Sequence, residues 1–297
     1  MKRRLSASPK PDPTHPHKRA MAAVSIHLTP GEKRLKGLLL DVAASIDASH
    51  HPTSQREQDA SFNEHVVLRW AGGWVRDKLL GIETHDIDVA INCMTGEEFG
   101  KRLSNFCSNP SVIKKYGITD SDLGSLHTIK ANPDQSKHLA TATCRGFGVD
   151  LDFVNLRKET YADDSRNPQV EFGSAEEDAF RRDATVNALF YNIHTGEVED
   201  FVRGLPDLNA GLIRTPLEPL QTFTDDPLRV LRLVRFASRL GFSIDPGTEK
   251  FMSDSRVLVS LETKIKRERV GIEVEKMLKG GRHTPRLSIA PYAPPYH

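Results

Sequence analysis

Apolar side chains at Leu35, Leu38, Leu39, Val42 and Ile46 recur at helical spacing behind Thr29-Pro30-Gly31-Glu32. A threonine and a glutamate three apart, with proline at the first helical position, form a capping box, so order is expected from Thr29. Residues 49 to 61 are polar and read as a linker. A short apolar run from Val66 to Ala71 predicts a strand, Gly72-Gly73 a turn, Trp74 to Leu80 a short helix, and Ile87 to Ile91 a second strand. Glu97 to Phe106 has the pattern of a helix packed on that sheet, and 111 to 140 is mixed. Thr141 to Cys144 and Val149 to Leu156 predict two further strands meeting at Arg145-Gly146-Phe147-Gly148. Residues 158 to 177 are polar and turn-rich. Farther on, Pro227 suits the first position of an almost wholly apolar helix, with Asp226 as its N-cap.

Two carboxylates in the second strand change the picture. Strand side chains alternate faces, so Asp86 and Asp88 project from one side, and Asp150 and Asp152 likewise share a face. Two hard oxygen donors suit Mg²⁺, which is usually completed by waters and substrate phosphates. Gly72 and Gly73 let the backbone approach a ligand, and the helix behind them directs N–H groups at anions. Alone, Asp-x-Asp is more often a solvated turn and Gly-Gly only a bend. Joined in one strand–turn–helix–strand unit, they form a layout for nucleotidyl transfer.

Arg181-Arg182-Asp183-Ala184-Thr185-Val186-Asn187-Ala188 adds a forked phosphate donor, Arg182. Asp183, Thr185 and Asn187 are candidates for bonding ribose hydroxyls. In Asp226-Pro227-Leu228-Arg229, the arginine lies one turn from the aspartate. Arg229 only donates and ionised Asp226 only accepts. Together they would match the amino donor and ring acceptor that cytosine and adenine share, and leave groups unpaired against uracil or guanine. Arg232, one turn on, is a phosphate candidate; Arg235 has turned about half a turn from Asp226. Such charges on an apolar helix need carboxylate or phosphate partners.

These residues resemble the polymerase-β-like nucleotidyltransferases, and more narrowly the tRNA nucleotidyltransferases that add CCA to tRNA 3′ ends in eukaryotes and bacteria. Gly72 to Asp77 with Asp86-Ile87-Asp88 match that family's first motif, and Arg181 to Ala188 its second. The resemblance covers roughly residues 29 to 279. It implies an α+β fold, with a mixed-sheet head over 29–203 and a helical, nucleotide-selecting neck over 204–279. It implies catalytic Asp86 and Asp88 holding two Mg²⁺ ions, with Asp152 as a third carboxylate or a substrate-orienting charge. Nucleotide contacts are expected from Gly72, Gly73, Arg76, Arg182, Asp183, Thr185, Asn187, Asp226, Arg229, Arg232 and Arg235. The implied partners are CTP, ATP and the tRNA 3′ end. The resemblance also makes 158 to 177 a flexible active-site loop and Gly204 to Arg214, with its glycines and Asp207, a hinge.

Three features depart from the family. Ala140 replaces an expected glutamate, and Lys266 stands where serine is usual. Relatives continue into helical body and tail domains, whereas residues 280–297 carry four prolines and no helical period. Two rivals follow: a shortened, weakly active or inactive nucleotide- or RNA-binding fragment, and a poly(A) polymerase of the same superfamily.

Composition adds limits. Net charge is only +1 across 297 residues, so any RNA contact must come from local clusters such as Lys264, Lys266, Arg267 and Arg269. No apolar run spans a membrane and no signal peptide is evident, so secretion and membrane partners are not expected. Cys93, Cys107 and Cys144 share no metal-ligand spacing and fit a reducing compartment. Residues 1–28 are basic and proline-rich and are expected to be disordered. They suit a nuclear-type tract, a mitochondrial leader or a solubilising tail, so the expected location is cytoplasmic or nuclear, with mitochondrial as an alternative. Oligomeric state is left open.

Overall fold

The computed structural model describes residues 24–49, 65–119, 124, 127–129, 141–160 and 168–279. The N-terminal basic segment up to residue 23, most of the polar linker, Ala140 and residues 280–297 lie outside them.

Helix α1 (Pro30–Ser49) starts where its capping box predicts: Glu32 N donates to Thr29 Oγ1 at 3.2 Å, and Thr29 N to Glu32 Oε2 at 2.7 Å. Then come β1 (Leu68–Ala71), α2 (Gly73–Leu79), β2 (Asp86–Ile91), α3 (Gly96–Cys107) and α4 (Pro110–Tyr116). Strands β3 (His127–Ile129), β4 (Thr141–Gly146) and β5 (Val149–Asn155) follow, then β6 (Arg157–Thr160), β7 (Gln169–Phe172) and α5 (Ala175–Phe180). A 3₁₀ turn (Thr185–Asn187) leads to β8 (Phe190–Asn192) and β9 (Glu197–Glu199). The remainder is α6 (Gly204–Ala210), β10 (Leu212–Ile213), α7 (Pro219–Asp225), α8 (Leu228–Leu240), β11 (Ser243–Ile244), α9 (Pro246–Met252), α10 (Ser255–Lys264) and α11 (Arg267–Lys279).

Among the described residues the main sheet has seven strands in the order β3-β4-β5-β2-β1-β8-β9. Only β2 and β5 pair in parallel within it. Ile87, Val89 and Ile91 alternate with Asp86, Asp88 and Ala90, and Leu151 and Phe153 alternate with Asp150, Asp152 and Val154. The apolar set of each strand faces the main core, shared with Leu35, Leu38 and Leu39 of α1 and Phe99 of α3. Phe99 and Phe153 meet at 5.4 Å between ring centres. Full burial of each such side chain contributes roughly 1.5–3 kcal/mol. The opposite face is partly covered by α5, where Ala175 and Ala179 join Ala90, Phe190 and Val154 in a smaller cluster.

One expectation needs correction. The segment 158–177 is not one flexible loop, because β6 and β7 pair as an antiparallel hairpin and α5 opens on a Ser174–Glu177 capping box; residues 161–167 lie outside the description. The segment 204–214, read from the sequence as a hinge, contains a packed helix and strand. A Cβ on Gly204 would fall 2.4 Å from the Thr185 carbonyl oxygen, so only glycine fits that approach.

Candidate active site

The turn between β1 and α2 sets the site's floor. Gly72 has φ +66° and ψ −123°, a conformation suited to glycine, and its N–H donates to Leu189 O at 2.9 Å. A Cβ there would lie 2.8 Å from Arg182 Nη1 and 3.3 Å from Asn187 O. The bare backbone is therefore what lets Arg182 lie across the turn.

The parallel register of β2 on β5 places Asp86 opposite Asp150 and Asp88 opposite Asp152. All four project from the face opposite the main core. Burial pushes the Asp88 carboxyl up, Asp178 and Asp86 add to the shift, and Arg182 opposes it. Asp152 is raised by burial first, then by Asp88, Asp86 and Asp150. Asp88 and Asp152 are thus held side by side with charge that a cation would neutralise. Among the described residues no three His, Cys, Asp or Glu side chains form a ready-made metal cage. The fit to Mg²⁺ rests instead on neighbouring carboxylates with phosphate oxygens to complete the shell, the usual manner for this ion.

Arginines are fixed by buried acids around this face. Arg182 Nε donates to Asp178 Oδ2 at 2.9 Å and Nη1 to Asn187 O at 3.0 Å, with the guanidinium 5.0 Å above the Phe190 ring. Burial pushes the Asp178 carboxyl up, but Arg182 and Arg181 outweigh it and hold the group below the usual range. Arg76 is bound by Asp77 Oδ1 at 2.7 Å from both Nε and Nη2, and donates to Asn187 Oδ1. Asn187 Nδ2 donates to Asp183 Oδ1 at 3.3 Å, and Asp183 Oδ2 accepts from Arg232 at 2.6 Å. One continuous chain of contacts therefore runs from the glycine turn through the 3₁₀ turn to α8. Against the cost of its burial, Asp183 is kept ionised by Arg232, with Arg229 and Asn187 assisting.

Helix α8 supplies the far wall. Asp226 is extended (φ −134°, ψ 94°), and its Oδ1 accepts from Leu228 N at 3.3 Å, so the expected capping contact is present. Arg229 Nη2 donates to Arg181 O at 2.8 Å. Arg235 Nη1 lies 3.0 Å from Glu273 Oε2 of α11, which ties its guanidinium to that helix.

These elements enclose a cavity of about 540 Å³. Of the residues expected at the site, Gly72, Gly73, Arg76, Asp88, Arg182, Asp183, Asn187, Asp226, Arg229, Arg232 and Arg235 line it. Asp86 and Asp152 stand beside Asp88 on the sheet face without lining the cavity. Thr185 does not line it: its hydroxyl is buried and donates to Asp207 Oδ2 at 2.7 Å. Val154, Asn155, Arg157, Glu159, Pro168, Arg181 and Phe236 line the cavity too and were not anticipated there, and so does Arg269, expected instead in a basic cluster for RNA.

Eight arginines and four carboxylates in one cavity make a site for a polyanion that also has a directional edge to be read. Together with the sheet and the glycine turn, this is the arrangement of the polymerase-β-like nucleotidyltransferase fold. Residues 68–214 match the family described as Poly A polymerase head domain. The chain is 64% identical over 262 residues to a nucleotidyltransferase, lcsQ, of Purpureocillium lilacinum, covering 88% of this chain and 42% of that one. It is 51% identical over 268 residues to the mitochondrial CCA tRNA nucleotidyltransferase of Saccharomyces cerevisiae, covering 90% and 46%. An apo CCA-adding enzyme superposes with a TM-score of 0.65 at 25% identity, covering 86% of this chain and 51% of that one. Over most of its length the chain is similar to CCA-adding tRNA nucleotidyltransferases, and it spans about half the length of the curated relatives it matches.

Proposed function

We propose that this chain carries the catalytic and nucleotide-selecting part of an enzyme that adds CCA to tRNA 3′ ends. The reaction is attack of the RNA 3′-hydroxyl on the α-phosphate of CTP or ATP, with pyrophosphate as leaving group. The observation that carries the reading is one cavity that joins Asp88 and the Gly72-Gly73 turn to Asp226 and Arg229. Relatives solved in complex with tRNA, CTP and ATP favour the same substrates here.

In this reading residues 29–203 form the head and 204–279 the neck. Gly72 and Gly73 give the triphosphate close access to backbone N–H groups, and Arg76, Arg182 and Arg232 orient it. Asp183 and Asn187 face the ribose. Asp226 and Arg229 read the base edge, accepting from the amino group and donating to the ring nitrogen of C or A. Asp86 and Asp88, with Asp152 alongside, would hold Mg²⁺, which would lower the charge cost of activating the hydroxyl and of releasing pyrophosphate. Positioning and charge neutralisation dominate such transfers, so no covalent nucleophile is required. The mitochondrial names of two relatives favour a mitochondrial location.

The test is incorporation of labelled CTP and ATP into a tRNA transcript lacking CCA. CCA-terminated product supports the proposal, and Asp86→Ala should abolish it while leaving the fold intact. Full activity in that variant would overturn the site. The match to a Poly A polymerase head domain keeps a second reading open: runs of A with no CTP use would select it.

A further inference from the structure

The β6–β7 hairpin brings one buried carboxylate into the cavity wall. Glu159, in register with Val170, has a side chain only 6% exposed. It faces guanidinium groups from three elements: Arg157 Nε at 3.0 Å on its own strand, Arg181 Nη1 at 3.2 Å beyond α5, and Arg229 Nη2 at 3.9 Å on α8. Arg181 in turn offers the carbonyl that accepts from Arg229 Nη2 at 2.8 Å. Glu159 therefore bears on Arg229 in two ways, through its own charge and by fixing the residue whose carbonyl holds the guanidinium. An ion this buried is retained only if the partners around it repay its desolvation. Without its charge, three guanidiniums would crowd one another with less to balance them.

We propose that Glu159 is a positioning residue for nucleotide choice: it fixes the orientation in which the Arg229 guanidinium meets the base. This rests on the reading of Arg229 as a base-contacting donor. Discrimination between cytosine and uracil depends on donor and acceptor atoms facing matched atoms. A guanidinium free to pivot can leave the uracil carbonyl less poorly served and the cytosine ring nitrogen less well served. Gln at 159 keeps the shape and much of the hydrogen bonding but removes the charge.

The experiment measures equilibrium affinity of the full chain for CTP and for UTP with Mg²⁺, by calorimetry, in wild type, Glu159→Gln, Glu159→Asp and Arg229→Ala. The expected result for Glu159→Gln is a CTP-over-UTP ratio lowered on the order of tenfold, the worth of one hydrogen bond to a charged group. Glu159→Asp, which keeps the charge but shortens the reach, should fall between; if the Gln variant does not fold, the Asp variant decides. Equal weakening of both nucleotides, or an unchanged ratio, overturns the proposal, since a merely structural role would not alter choice. Loss of the ratio in Arg229→Ala but not in the Glu159 variants overturns the Glu159 role alone. An unchanged ratio in Arg229→Ala, or a wild type indifferent to the base, overturns the base-reading assignment and this proposal with it.

Discussion

Gly72→Ala probes the closest backbone approach in the site. The new Cβ would sit 2.8 Å from Arg182 Nη1, inside normal contact, and the residue would keep φ +66°. Forcing alanine into that region costs about 1–3 kcal/mol. Arg182 has little room to yield, being held by Asp178 at 2.9 Å and Asn187 O at 3.0 Å. Displacing it forfeits a hydrogen bond between charged groups, about 1.5–3 kcal/mol more. At about 2–4 °C per kcal/mol for a domain of this size, the melting temperature should fall by roughly 5–25 °C. Gly81→Ala is the control, since Gly81 has φ +69° with nothing within 4 Å of its added Cβ. It should lower the melting temperature through strain alone and leave ATP affinity unchanged, whereas Gly72→Ala should also weaken ATP at least tenfold, one charged contact's worth. Calorimetric melting and ATP titration of both variants read this out. A Gly72→Ala protein that binds ATP no worse than Gly81→Ala would refute the argument from contact.

Three further outcomes are expected. Asp178→Asn leaves Arg181 and Arg182 beside a neutral amide at a position 1% exposed, which should cost about 3–5 kcal/mol in urea unfolding; a midpoint equal to wild type would count against it. Asp88→Asn removes a carboxylate crowded by Asp86 and Asp178, so it should raise the melting temperature at neutral pH while abolishing transfer; a lower melting temperature would show that Arg182 already balances Asp88. Glu32 is buried, which alone would push its carboxyl up, but Lys78, the Thr29 N–H and Trp74 hold it below its ordinary 4.5. Its folded value is depressed, so its stabilisation is present above about pH 4.5 and is lost as pH falls through the folded value. Glu32→Gln should therefore melt lower than wild type at pH 7 and converge with it in acid; a constant difference across that range would refute the assignment.

Much of this architecture was legible because the signals are local. Alternation made Asp86 and Asp88 share a face, the capping box fixed the start of α1, and proline placed the start of α8. Long-range pairing was not legible in the same way. Nothing near Glu159 announces that Arg181 and Arg229 will converge on it, because those residues stand 22 and 70 positions away in the chain. The partner of Thr185 was hidden for the same reason. That partner, Asp207, comes from α6, 22 positions along the chain. The polar run at 158–177 suggested a loop, yet backbone pairing overrode composition at both its ends.

The parallel pairing of β2 and β5 carries a consequence for folding itself. Parallel strands reward many registers almost equally through their backbone hydrogen bonds, and a slip of one residue turns every side chain to the opposite face. Here such a slip would drive Asp150 and Asp152 into the space occupied by Leu151 and Phe153, against Phe99, with no cation to meet them. Burying unpaired carboxylates is among the costliest errors a core can make. The same acids proposed to hold a metal thus penalise misaligned strands while the chain folds, and a chain that mispairs here cannot close its core.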